Sequence, residues 1–273
     1  MIKRGRYFIT YNCNLSCPHC LSNSGISPIK ELEPEDLLPI FKKFREAGME
    51  TIGISGGEPF SVFTRTLKAV WILNSLGFKV RVFTNGTYPS ELRYKALMDA
   101  GCSAFHVSLD GFEWAHEKIR GSGTWSKTIE TLKLLKNLGA KVRVVSMITK
   151  ENIDDVEGFI SLIDPLVDEI YLKNINTTVG RAKNLPSTVD IRPLERFCSH
   201  PKVVVKEFGL YPTRCDTIAV TPDGSLISCG QIQDYFGNGF TDDIEKVFKA
   251  ERICRFRDIK THKNGAGEIC CDY

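Results

Sequence analysis

Four segments of this chain repeat one pattern. AGMETIGIS (47–55), LGFKVRVFT (76–84), AGCSAFHVS (100–108) and LGAKVRVVS (138–146) each give a small or apolar residue, then Gly, then a short β-branched run. Each follows a stretch of helical periodicity: Leu37, Ile40, Phe41 and Phe44 before the first, Ile129, Leu132, Leu135 and Leu138 before the last. Gly at the junction suits a helix C-cap, where a left-handed backbone carries no Cβ penalty. Helix, glycine and strand in recurring order mark βα units around a parallel sheet. GRYFITY (5–11) in front and VDEIYLK (167–173) behind bring the strands to six. The expected architecture is α/β: a partial (β/α)6 TIM-like barrel over 1–180, then a linker and a small α+β domain over 181–273. In the latter, IAVTPDGSLIS (218–228) reads as a hairpin turning at Pro222-Asp223-Gly224. Pro39 predicts a distortion near the start of the first helix, and Trp71 fits a core position beside the phenylalanines at 41 and 44.

In such barrels chemistry collects on the loops after the C-terminal ends of strands. The polar motifs fall there. YNCNLSCPHC (11–20) follows strand one, SGGEP (55–59) strand two, TNG (84–86) strand three, SLDG (108–111) strand four and SMIT (146–149) strand five. This alignment implies one site. Cys13, Cys17 and Cys20 are close enough for a single loop to wrap one metal centre. Structural zinc takes a fourth close ligand, and His19, between two of the thiols, is awkwardly placed to supply it. Three thiolates on an iron–sulfur cube leave one iron open. A zinc knuckle or a plain reduced loop is the bland alternative. Gly56 and Gly57 permit close backbone approach to a ligand, and Glu58 would accept a hydrogen bond from an amine. Asn85, Ser108 and Asp110 also suit an Asx-turn and strand-end capping, and Arg120 also suits a solvated surface.

CNLSCPHC followed by GGEP resembles the radical S-adenosylmethionine (radical SAM) superfamily, whose cluster motif is CxxxCx[aromatic]C, with His19 in the aromatic slot. The resemblance runs through TNG, SLDG and HEKIRG (116–121) and covers about 5 to 180. It implies that Cys13, Cys17 and Cys20 hold a [4Fe–4S] cluster whose open iron chelates the amino and carboxylate groups of S-adenosylmethionine. One electron from the reduced cluster, supplied by a flavodoxin- or ferredoxin-type donor, would cleave the sulfonium. The resulting 5′-deoxyadenosyl radical would then take a hydrogen atom from the substrate. It further implies Gly56, Gly57 and Glu58 at the methionine amino group, and Asn85, Ser108 and Asp110 at the ribose hydroxyls or methionyl part. Arg120 would face the carboxylate, and Ser146 and VGRA (179–182) the adenosine.

Net charge is +3, from 36 basic and 33 acidic residues, with no basic stripe. That leaves no footprint for nucleic acid or anionic lipid. No apolar stretch has the length of a signal peptide or a membrane span. A cytoplasmic, reducing location follows, in which the ten cysteines serve as thiols or ligands rather than disulfides. CDTIAVTPDGSLISC places Cys215 and Cys229 near the open ends of the hairpin, and resembles the SPASM extension or its shortened twitch form. That resemblance implies an auxiliary [4Fe–4S] cluster on Cys215, Cys229 and Cys271, with Cys270 or Cys254 as fourth ligand. The adjacent Cys270 and Cys271 depart from the family's spaced cysteines, and zinc stays open there. Cys102 reads as a buried small hydrophobe and Cys198 as a free thiol. Cys254, if not a ligand, is a candidate hydrogen donor to a substrate radical or a packed helix residue.

The expected activity is hydrogen abstraction from a small polar substrate, aminocyclitol- or sugar-like, giving dehydrogenation or epimerisation. Peptide maturases of this kind commonly carry an N-terminal leader-binding domain, and strand one begins almost at Met1. The alternative is a maturase that forms a crosslink or thioether in a ribosomally made peptide. A non-catalytic metal-binding or redox carrier is the contrasting class, though it needs no nucleoside pocket.

Overall fold

The computed structural model describes residues 3–25, 27–177, 179–185, 189–206, 217–228 and 235–249. Its elements are β1 (Arg4–Thr10), α1 (Leu38–Glu46), β2 (Thr51–Gly56), α2 (Phe63–Ser75), β3 (Lys79–Thr84), α3 (Glu91–Asp99), β4 (Cys102–Ser108) and α4 (Glu113–Arg120). They continue with α5 (Thr124–Asn137), β5 (Val142–Ile148), α6 (Val156–Ile163), β6 (Glu169–Asn174), β7 (Val203–Lys206), β8 (Thr217–Val220), β9 (Ser225–Ile227), β10 (Tyr235–Asn238) and α7 (Ile244–Lys249).

All six expected strands form and pair in parallel, in sequence order from β1 to β6. The glycine after each repeat helix has the left-handed backbone its position required, with φ of 90° at Gly48, 82° at Gly77, 104° at Gly101 and 68° at Gly139. The sheet continues beyond the six. β7 adds in parallel beside β6, and β8 adds in parallel on the far side of β1. The hairpin is β8 with β9, and β10 follows antiparallel. The order is thus β10-β9-β8-β1-β2-β3-β4-β5-β6-β7, an open sheet whose two end strands do not pair with each other among the described residues. It runs unbroken across residue 180.

Strand alternation divides the sheet into two faces. Tyr7, Ile9, Ile52, Ile54, Val80, Val82, Phe105, Val107, Val142 and Val144 pack into the main core against Phe41, Phe44, Leu73, Leu97 and Leu132 of the helices. The inner face carries Arg6, Arg81, Phe83, His106, Arg143, Tyr171 and Lys173, and is largely basic and aromatic. Arg6 stacks 3.8 Å above the Phe83 ring and Arg143 lies 4.0 Å from the Tyr171 ring. Among the described residues no helix is long and apolar enough to cross a membrane.

Three expectations change. Pro39 causes no distortion inside α1; it occupies the first turn, where a missing N–H costs nothing. Trp71 is 64% exposed, because α2 turns Ala69, Val70 and Leu73 to the core and Trp71 away from it. HEKIR (116–120) forms the last part of α4, stopped by Gly121. Ser146 lies inside β5 rather than in the loop after it.

Candidate active site

The cysteine loop leaves β1 and is pinned by backbone bonds to its own return, Cys13 N to Gly25 O at 3.0 Å and Gly25 N to Tyr11 O at 2.9 Å. Cys17 is buried, and Cys13 and Cys20 are half-buried. Two backbone amides point at sulfur: Leu15 N at Cys13 Sγ and Ser24 N at Cys20 Sγ, each at 3.4 Å. Burial pushes the Cys13 thiol up to about 11 and raises Cys17 as well, with Arg120 opposing the shift at Cys17. A metal centre here would therefore displace protons on binding. Among the described residues, no three His, Cys, Asp or Glu side chains converge on a point able to hold a single ion. Thiolates that each take a different iron of a cube have no need to. The donor set, three thiols with amides directed at two of them, fits such a cluster.

The loop after β2 is built against this one. Gly57 N donates to Thr10 O at 2.7 Å and Glu58 N to Asn12 O at 2.9 Å. A Cβ on Gly57 would stand 2.0 Å from Asn12 O, so only glycine fits. The close approach that the glycine pair provides is thus to the cysteine loop itself. Glu58 is buried, and its carboxylate accepts from Phe60 N (3.0 Å), Thr84 Oγ1 (2.8 Å) and Asn85 N (2.7 Å). Burial pushes it up to about 7 against those three donors. Glu58 therefore ties the β2 loop to the β3 loop, with one acceptor position of a carboxylate's usual four remaining.

Asn85 closes an Asx-turn on Thr87 N at 3.0 Å, and its Nδ2 donates to Asn14 Oδ1 of the cysteine loop at 2.9 Å. Asp110 is wholly buried after β4. Its Oδ2 accepts from Arg120 Nε at 2.6 Å, and its Oδ1 from Met147 N at 2.8 Å. The Arg120 side chain is only 9% exposed and its Nη2 lies 3.3 Å from His19 Nε2. Burial first, then Arg120, lowers His19 to about 4, so the ring is neutral. The guanidinium has only donors, so Nε2 is the acceptor and Nδ1 carries the hydrogen, buried without a partner. His19 is thereby committed to Arg120 and turned from metal ligation. Arg120 is not a solvated arginine; Asp110 and His19 hold it beside Cys17.

Ser108 ends β4 on the inner face, half-buried. Ser146 is buried and unpartnered, and by alternation shares the helix-packed face of β5 with Val144 and Ile148. Its neighbours on the opposite face meet the loop after β4, Met147 N donating to Asp110 Oδ1 and Leu109 N to Val145 O. Cys215, Cys229, Cys254, Cys270 and Cys271 lie outside the described residues. Cys102 is buried and Cys198 exposed and free, as expected.

One participant has a role that sequence reading missed. Arg181 straps the cysteine loop: its N donates to Cys20 O (3.0 Å), its Nε to Cys17 O (2.9 Å) and its Nη1 to Ser24 O (2.6 Å). Gly180 beside it has no room for a Cβ, which would lie 2.2 Å from Cys20 O. Arg181→Ala removes two charge-assisted bonds worth about 1.5–3 kcal/mol each. Alkylation of Cys17 and Cys20 in the metal-free protein is expected to accelerate on the order of tenfold or more, with unchanged circular dichroism. An unchanged rate would show that the strap does not restrain the loop.

Comparison with known proteins agrees with this geometry. The family model of the Radical SAM superfamily matches residues 7–163. The chain is 28% identical over 67% of its length to the sporulation killing factor maturation protein SkfB of Bacillus subtilis (strain 168), covering 45% of that protein. It is 25% identical over 90% of its length to the antilisterial bacteriocin subtilosin biosynthesis protein AlbA of the same organism, covering 59% of it. This chain thus spans about half the length of these relatives. Among solved structures, Streptococcus suis SuiB bound to its precursor peptide SuiA superposes with a TM-score of 0.77 at 16% identity, over 98% of this chain and 68% of that one.

Proposed function

Because the chain belongs to the radical SAM superfamily, we propose that it acts on a ribosomally made peptide, forming a crosslink or thioether by hydrogen abstraction. The alignment with AlbA over 90% of this chain carries the reading, and that with SkfB supports it. Both outweigh the small polar substrate suggested by where strand one begins, because the chain spans only part of its relatives.

The family's cofactors are a [4Fe–4S] cluster and S-adenosylmethionine, which when bound supply one-electron cleavage and a hydrogen-abstracting radical. Cys13, Cys17 and Cys20 would hold the cluster. The remaining residues build and orient. Gly57 and Glu58 fix the β2 loop on the cysteine loop, Asn85 joins the β3 loop to Asn14, and Asp110 sets Arg120 beside Cys17. Ser108 is open to the inner face. An auxiliary cluster on Cys215, Cys229 and Cys271, with Cys270 or Cys254, belongs to the same reading.

The test is co-expression with candidate short peptides encoded near the gene, followed by mass spectrometry. Loss of two hydrogens from the peptide is expected, with deuterium passing from labelled peptide into 5′-deoxyadenosine. Deuterium transfer from aminocyclitols or sugars, and none from peptides, would reverse the choice of substrate.

A further inference from the structure

The cysteine loop places a histidine where its motif has an aromatic residue, and the fold buries it. His19 is 8% exposed. Its Nε2 accepts from Arg120 Nη2 at 3.3 Å, while its Nδ1 has no partner. A phenylalanine would fill similar space with no buried polar atom to satisfy. For packing alone the imidazole is the costlier side chain. What it adds is the bond to Arg120.

Arg120, the last residue of α4, joins two loops. Its Nε donates to Asp110 Oδ2 after β4 at 2.6 Å, and its Nη2 to His19 in the cysteine loop. His116, one turn earlier on the same helix face, accepts from Asp110 N at 3.0 Å, and Met147 N donates to Asp110 Oδ1 at 2.8 Å. Asp110 is thus fixed by α4 and β5, and His19 fixes the other edge of the guanidinium.

The Arg120–Asp110 pair is formally neutral, so its orientation decides what field it puts on the thiols. His19 lies between Cys17 and Cys20 in the chain. The guanidinium is the pole nearer its Nε2, at 3.3 Å, with Asp110 Oδ2 at 4.0 Å. Cys17 shows the same order. Burial raises its thiol, and of the two charges Arg120 lowers it more than Asp110 raises it.

We propose that His19 is a positioning residue: by accepting from Arg120 it keeps the positive end of the Arg120–Asp110 pair toward Cys17, and so raises the reduction potential of the cluster that Cys13, Cys17 and Cys20 hold. A reduced cluster carries more negative charge than an oxidised one, and a fixed positive end beside its thiolates favours that state. The inference rests on the family's cluster and is independent of the substrate proposed above.

The test is a redox titration of the anaerobically reconstituted full chain, followed by electron paramagnetic resonance. The signal to read is the one that S-adenosylmethionine shifts in a separate sample. His19→Phe is expected to move the reduction equilibrium about threefold toward the oxidised cluster. Asp110→Ala/Arg120→Met, which removes both poles, should move it about tenfold, or about 59 mV for one electron. In that background His19→Phe should add nothing, because no guanidinium is left to orient. His19→Gln, whose amide oxygen can accept from Arg120, should restore the parent potential. The urea midpoint of His19→Phe should stay near the parent's, since the lost bond and the lost unpartnered N–H offset each other. A parent-like potential in His19→Phe, or the same shift with and without Arg120, would overturn the proposal. Should His19→Phe fail to assemble the cluster, a parent-like potential in Asp110→Ala/Arg120→Met would overturn it equally. A parent chain with no such cluster signal would remove the assignment of the three thiols itself, and this proposal with it.

Discussion

Replacing Cys13, Cys17 and Cys20 together by Ala is expected to bring formation of 5′-deoxyadenosine from S-adenosylmethionine below about a thousandth of the parent rate, equivalent to more than about 4 kcal/mol of barrier. The fold should survive. Cys13 and Cys20 are only half-buried, and although an amide donates to each of their sulfurs, backbone bonds and Arg181 hold the loop as well. Nor is His19 free to substitute as a ligand, since it already accepts from Arg120. The measurement is the dithionite-driven reaction after anaerobic reconstitution, with iron and acid-labile sulfide counted on the same samples. Activity persisting in the triple variant would overturn the assignment of these thiols. Iron at about half the parent content would support a second cluster on Cys215, Cys229, Cys271 and Cys270 or Cys254. Iron near zero would remove that cluster from the reading.

The barrel was legible because its determinants are local. The Gly-led β-branched runs at 51–56, 79–84 and 142–148 need only their own residues to read as strands, and all three form. Alternation would have placed Ser146 with Val144 and Ile148, and the same rule would have shown the inner face to be basic from the Arg-Val-Arg-Val order around Arg81 and Arg143. The run VVVK at 203–206 had a strand composition too, but the segment before it, Arg192–Ser199, is a 3₁₀ helix that buries Leu194 and lacks the apolar periodicity and closing glycine of the other units. What sequence alone could not give are bonds between distant positions. Glu58 invites reading as a ligand group, and its bond to Asn85 N spans 27 residues; Arg181 reaches Cys17 O across 164. Each such pair depends on loops that only the finished sheet brings together.

Asp110→Ala should be the most destabilising single substitution near the site, costing about 3–5 kcal/mol. The loss is large because the partner stays behind. Arg120, 9% exposed, would keep its charge with no carboxylate, and Met147 N would lose its acceptor. The Lys3–Glu50 pair, with both side chains 58% exposed, is the control: Glu50→Ala should cost less than about 1 kcal/mol. In urea the midpoint should fall with the slope unchanged. Asp110→Ala/Arg120→Met should recover part of the loss, since the double variant buries no unpaired charge. The pH dependence gives a further check. Although burial works against it, Arg120 holds the Asp110 carboxyl below its ordinary value of 3.8. Its contribution is therefore complete above that value and is lost as pH falls through the lower folded one. His116, which accepts from Asp110 N at 3.0 Å, is lowered by burial and Arg120 to about 4. Because the unfolded ring protonates near 6.5, parent stability should already decline between about pH 6.5 and 4. The Asp110→Ala deficit should hold constant over that range unless His116 is released, and shrink only in stronger acid. A deficit below about 1 kcal/mol at pH 7 would mean that Arg120 reaches water once its partner is gone.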